Sequence, residues 1–155
     1  AAAQAAAMSA TSAPKTDVGA FARNLRSIAG SARANGIKVV LMTQQTTWNS
    51  DVDPDISGWH WLRNIEGVVY SESAMHTAMA EMNVVVRDFA AEANLPLYDL
   101  ARDMPKSSAF FYDDVHFNVR GAHEAGVELA SLLNKHGWTG RPELSPERTD
   151  RTTQN

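Results

Sequence analysis

The residues best suited by type and spacing to do chemistry lie in one run, Tyr112-Asp113-Asp114-Val115-His116-Phe117-Asn118. An Asp three residues before a His can share one turn with it. Its carboxylate can then accept the imidazole Nδ1–H and fix the tautomer. That leaves Nε2 free to take a proton from a hydroxyl nucleophile. Histidine suits this work because its ordinary pKa lies close to neutral pH. The pattern Asp-x-x-His is short, and the same spacing also serves plain local hydrogen bonding at a helix start. Asp114 is the nearest competitor of Asp113 as the carboxylate that orients the ring. Asp113, Asp114 and His116 are also of the types that bind divalent ions. No third or fourth ligand stands at recognisable spacing, so no metal site is expected.

Other candidates are weaker. Ser107 and Ser108 lie just upstream of Asp113. Ser71 and Ser73 flank the expected start of a helix, where capping is their ordinary role. His60, between Trp59 and Trp61, is the best of the other histidines for a pocket role, but a structural role is the favoured reading. His76 is expected to pack, His123 to be solvated, and His136 stands near the end of the last expected helix.

These residues need elements to position them. Thr16 to Asn35 reads as an amphipathic helix with Phe21, Leu25, Ile28 and Ala32 on one face. Asn35-Gly36 is a good stop, since both tolerate the left-handed conformation. Ile37 to Met42 is nearly all apolar, which predicts a strand buried on both faces of a parallel sheet. Thr43 to Gly67 reads as a long loop, a feature often tied to function. Its Trp48, Trp59 and Trp61 are expected chiefly to pack it down. A second helix is predicted from about Ser73 to Asn94, with a stripe of Met75, Met79, Met82, Val86, Phe89 and Ala93 as core. Leu95 to Leu100 reads as a second strand, with Pro96 at its start or on an edge. A third helix is predicted from Asn118, its cap, to about Lys135, with Ala122, Gly126, Leu129 and Leu133 inward. Strand, helix, strand implies a parallel crossover. The order is that of an α/β protein, and two strands with three helices look like half of a doubly wound domain.

The totals narrow the function classes. The chain has 155 residues, a formal net charge of -4 and no cysteine. Disulfides, thiolate metal sites and cysteine nucleophiles are thereby excluded. No basic stripe suggests nucleic acid, and no apolar run approaches the ~20 residues that span a bilayer. The compartment is left open. Residues 1–16 read as an Ala-rich leader, helical or flexible, a processing remnant or a cloning scar. Residues 17–138 form the folded part. Residues 139–155 are polar, contain Pro142 and Pro146, and are expected to be disordered.

The run Phe110 to Asn118, followed by Gly121 and an Ala-rich helix, resembles the last conserved block of the SGNH/GDSL-type ester hydrolases. Leu97-Tyr98-Asp99-Leu100-Ala101 resembles the last strand of that fold. Phe21 to Thr43 resembles the helix and strand that follow the family's Asn-bearing block. Met82-Asn83 sits where these enzymes often carry such a pair. The resemblance spans roughly Asp17 to His136 and is confined to the C-terminal part of the family's domain. It implies a flavodoxin-like α/β/α fold, present here as its C-terminal half. It implies ester hydrolysis by Ser, His and Asp, with His116 as general base and Asp113 as its orienter. It implies a small ester or acylated sugar as substrate and no cofactor.

The family's Gly-Asp-Ser block is absent. So are its oxyanion-hole blocks: Asn24, Asn35, Asn49, Asn64 and Asn83 lack the expected context. The chain is therefore expected to lack a nucleophile of its own, and to need a missing N-terminal segment or self-association. The alternative is a non-catalytic α/β binding module, or a relic, that pairs with another chain.

Overall fold

The computed structural model describes residues 9–49 and 53–138. The elements are α1 (Val18–Ala34), β1 (Leu41–Met42), α2 (Pro54–Ser57), β2 (Asn64–Ile65), β3 (Val68–Val69), α3 (Glu72–Glu92), β4 (Leu97–Tyr98), α4 (Leu100–Asp103) and α5 (Val119–Lys135). This is a mixed α/β arrangement. β1 and β4 pair in parallel, with Leu41 opposite Leu97 and Met42 opposite Tyr98.

Each long helix begins where a side chain satisfies an orphan amide. Asp17 accepts from the Ala20 N–H, Ser71 from Ala74 and Asn118 from Gly121. α1 ends at Asn35, and Gly36 follows at a φ of 68°. The cap expected at Ser71 or Ser73 is therefore Ser71, and the expected cap at Asn118 is present.

Successive strand residues face opposite sides, and here they feed two apolar clusters. Leu41 and Leu97 join Ala29, Val86, Phe89 and Ala90 between α1, α3 and the sheet. Tyr98 joins Ile56, Leu100, Met104 and Phe111, against which α5 packs Ala125, Leu129 and Leu132. The second cluster is the floor of the candidate site.

Several expectations are corrected. Only Leu41–Met42 of the expected first strand pairs, and it is not buried on both faces: Ile37 is 62% exposed and Met42 50%. Among the described residues β1 has a neighbour on one edge alone. Leu100 opens the short helix α4 and is not in the strand; its Asp99 forerunner sits at the helix cap. In α1 the inward position is Ala29, while Ile28 is 67% exposed. In α5 the inward row runs through Gly121, Ala125 and Leu129, and Ala122 and Gly126 face solvent. The first turn of α5 sets this rotation, because buried Gly121 is pressed against the Phe110 carbonyl.

The long loop also holds more structure than expected. It contains α2 and leads through β2 into a β2–β3 hairpin. Glu66 and Gly67 at its turn have φ of 51° and 84°, the double positive φ of a type I′ connection. Residues 9–16 are not helical. Ala10 bridges Tyr70, donating to the Val69 carbonyl at 2.8 Å and accepting from Ser71 at 2.8 Å. Residues 1–8 of the expected leader and the expected tail 139–155 lie outside the described residues.

Candidate active site

Asp113 and His116 stand at the tip of a loop whose base is closed twice. Phe111 and Phe117 form an antiparallel bridge. The Tyr112 amide donates to the His116 carbonyl at 2.8 Å, and the Asn118 amide to the Phe110 carbonyl at 2.9 Å. Within the turn, the Asp113 carboxylate accepts from the backbone amides of Val115 at 3.0 Å and His116 at 2.9 Å. The same carboxylate lies 2.9 and 3.0 Å from His116 Nδ1. Nε2 has no hydrogen-bond partner among the described residues, and the His116 side chain is 63% exposed.

Trp61 braces this pair from another segment. Its ring lies nearly parallel to the imidazole, 7° between planes and 6.4 Å between centroids. Its Nε1–H donates to Asp113 Oδ2 at 3.3 Å. Sequence reasoning gave the loop tryptophans a packing role. That holds for Trp48, which is buried, but Trp59 is 70% exposed and Trp61 59%. Both line a cleft of about 520 Å³ with Ile56, Phe111, Tyr112 and Asp113 on its walls.

Asp114 is not a second orienter. It is wholly buried and turned the other way. Its carboxylate accepts from the Trp48 Nε1–H at 2.9 Å and the amides of Trp61 at 2.8 Å and Leu62 at 3.3 Å. That spends its oxygens, so it cannot join Asp113 and His116 around an ion. No group of three or more His, Asp or Glu among the described residues is arranged to hold a metal.

Burial pushes the Asp113 carboxyl up. The amides of Val115 and His116, the His116 ring and the Trp61 indole outweigh it and hold the group at about 2, against an ordinary 3.8. The folded chain therefore binds fewer protons here than the unfolded chain near pH 3. The stabilisation is complete above about pH 4 and is lost as pH falls toward 2. Solvent at the loop tip screens part of it, leaving about 1 kcal/mol. Urea midpoints between pH 5 and pH 2 should fall more steeply for the natural chain than for Asp113→Asn. Parallel curves would refute this.

Of the remaining predicted residues, Ser108 lines the same cleft as Asp113, and the others stand elsewhere. Ser108 donates its hydroxyl to Asp53 at 2.7 Å. Ser107 uses its carbonyl to accept from Phe110 and Phe111. Ser71 caps α3, and Ser73 lies in its first turn. None of them bonds to His116 among the described residues. His76 is half-buried; burial lowers its pKa, and Lys106 adds to the shift. His123 is exposed near Glu124, and His136 lies against Trp138. Asn83 is buried and grips the Gln44 backbone, accepting from its N–H and donating to its carbonyl, both at 2.8 Å. It holds the chain as it leaves β1. The His60 side chain is fully buried and is not on the wall of the cleft beside Asp113.

Comparison with known proteins finds no matching family model, no matching curated protein and no matching solved structure.

Proposed function

We propose that this chain supplies the general base and its orienting carboxylate to a carboxylic ester hydrolase of the SGNH type. The carrying observation is the Asp113–His116 contact at 2.9 Å, with Nε2 unpartnered among the described residues and Asp113 on the wall of a cleft. In this reading the domain is one half of a flavodoxin-like layer structure. His116 Nε2 takes the proton of a serine hydroxyl as the oxygen attacks the ester carbonyl. The C–O bond to the alcohol then breaks, and the proton passes to the leaving oxygen. Water releases the acyl group by the same route. The serine and the oxyanion donors come from a segment that pairs with this one. The cleft offers apolar walls and two exposed indoles, which suits a small ester or an acylated sugar.

The alternative is a non-catalytic module that pairs with another chain. The edge of β1 left unpaired among the described residues, beside exposed Met42, favours it, since such edges recruit strands. One experiment addresses both. Hydrolysis of p-nitrophenyl acetate is measured for this chain and His116→Ala, each alone and after size exclusion at several concentrations. Under the enzyme reading the two chains, lacking the serine, hydrolyse the ester alike as monomers, and the natural chain becomes about 100-fold faster than the variant only where pairing completes the site. Equal rates at every concentration, with self-association, would support the binding module.

A further inference from the structure

Beneath the dyad lies a second line of polar groups that the chemistry above does not use. Thr47 Oγ1 is 2.8 Å from His60 Nε2, and His60 Nδ1 is 2.9 Å from Glu72 Oε1. The order is hydroxyl, imidazole, carboxylate, as in a nucleophile triad. Thr47 and the His60 side chain are both 0% exposed, so no substrate reaches them. What the line does reach is the dyad loop. Thr47 Oγ1 lies 3.1 Å from the Asp113 carbonyl and 3.3 Å from that of Asp114. The Thr47 amide donates to the Asp114 carbonyl at 2.9 Å.

Counting hydrogens decides how the line is wired. A threonine hydroxyl has one hydrogen to give. If it goes to His60 Nε2, the Asp113 carbonyl loses its donor. If both ring nitrogens carry a hydrogen, Nδ1–H donates to the Glu72 carboxylate, Nε2–H donates to Thr47, and Thr47 donates to Asp113. Every contact is then made, and a buried polar group left unmade is costly. Glu72, in the first turn of α3, anchors the far side of the ring.

We propose that His60 is a positioning residue for the Asp113–His116 dyad: its Nε2–H donates to Thr47, whose hydroxyl holds the Asp113 carbonyl. This rests on the reading of Asp113 and His116 as the working pair. The two side chains then share one frame: Thr47 fixes the backbone of Asp113 from below while the carboxylate faces His116.

The test uses ring 15N shifts in the full chain. In the unsubstituted protein His60 Nε2 should be protonated; an unprotonated Nε2 overturns the proposal without any variant. The second readout is the share of His116 in the Nδ1–H tautomer. His60→Gln keeps a donor at the Nε2 position and loses the Glu72 arm. His60→Asn keeps the Glu72 arm and falls short of Thr47. Thr47→Ser keeps the hydroxyl, and Thr47→Val removes it. The His116 tautomer should be retained in His60→Gln and Thr47→Ser and lost in His60→Asn and Thr47→Val. Urea midpoints should not sort the variants the same way. Retention in all folded variants, or loss that simply tracks stability, overturns the proposal. No ester enters this measurement, so a failed hydrolysis assay leaves its result standing.

Discussion

Replacing Gly121 by alanine should destabilise the chain by about 4 kcal/mol, a large part of the ~5–15 kcal/mol that holds a domain of this size. A Cβ at this position meets the Phe110 carbonyl oxygen in hard overlap, with Phe117 Cδ1 at 2.9 Å and the Phe110 carbonyl carbon at 3.0 Å. The main obstacle is backbone, so no rotamer change relieves it. The same carbonyl accepts from Asn118 at the base of the dyad loop, so a shift there also disturbs Asp113 and His116. Gly126 is the internal control. It lies in the same helix with nothing within 4 Å of a built Cβ. Gly126→Ala should therefore stabilise by about 0.5–1 kcal/mol through helix propensity. Urea denaturation of the two variants reads both signs at once. A Gly121→Ala chain as stable as its parent would mean that α5 does not sit against Phe110.

Asp114→Ala should cost about 3–5 kcal/mol, and Asp114→Asn nearly as much. Three N–H groups from the long loop converge on this one buried carboxylate. Alanine leaves them unpaired, at roughly 1–3 kcal/mol for each buried donor. Asparagine keeps the shape but turns an NH2 group toward a donor. Because two of the three donors belong to Trp48 and Trp61, indole fluorescence should change with the fold's loss of stability. A cost below about 1 kcal/mol for either variant would show that the loop is held by packing instead.

These two residues mark the boundary of what the sequence discloses. The Asp113–His116 pair was legible because both partners lie in one turn, where spacing fixes proximity. The helix caps at Ser71 and Asn118 were legible for the same reason, while the cap at Asp17 was not read. Asp114 was not, because its partners are 53 and 66 residues away and nothing local distinguishes it from Asp113. Thr47 and Glu72 were missed for the same cause, and His60 gave no local sign that it was buried. Phe21 and Leu25 in α1 and Leu129 in α5 face inward as expected, while Ile28, Ala122 and Gly126 were each off by one position. Periodicity gives a stripe, but in α5 the stripe's rotation is set by the tight contact at Gly121. The hairpin at Glu66-Gly67 escaped notice because Glu is an uncommon residue at positive φ.

The parallel pairing of β1 with β4 has a consequence for how the molecule comes into being. Thr43 at the end of one strand bonds to Asp99 at the end of the other, 56 residues later. Closing a loop of that length costs about 3.5 kcal/mol of chain entropy, and the helices can form before it is met. The bracing of the dyad cannot: Thr47 and Trp61 lie on one side of the closure, and Asp113 and His116 on the other. A nascent chain thus acquires its helices piece by piece as it emerges, whereas the braced site appears only once, late, when both ends of that loop are already made.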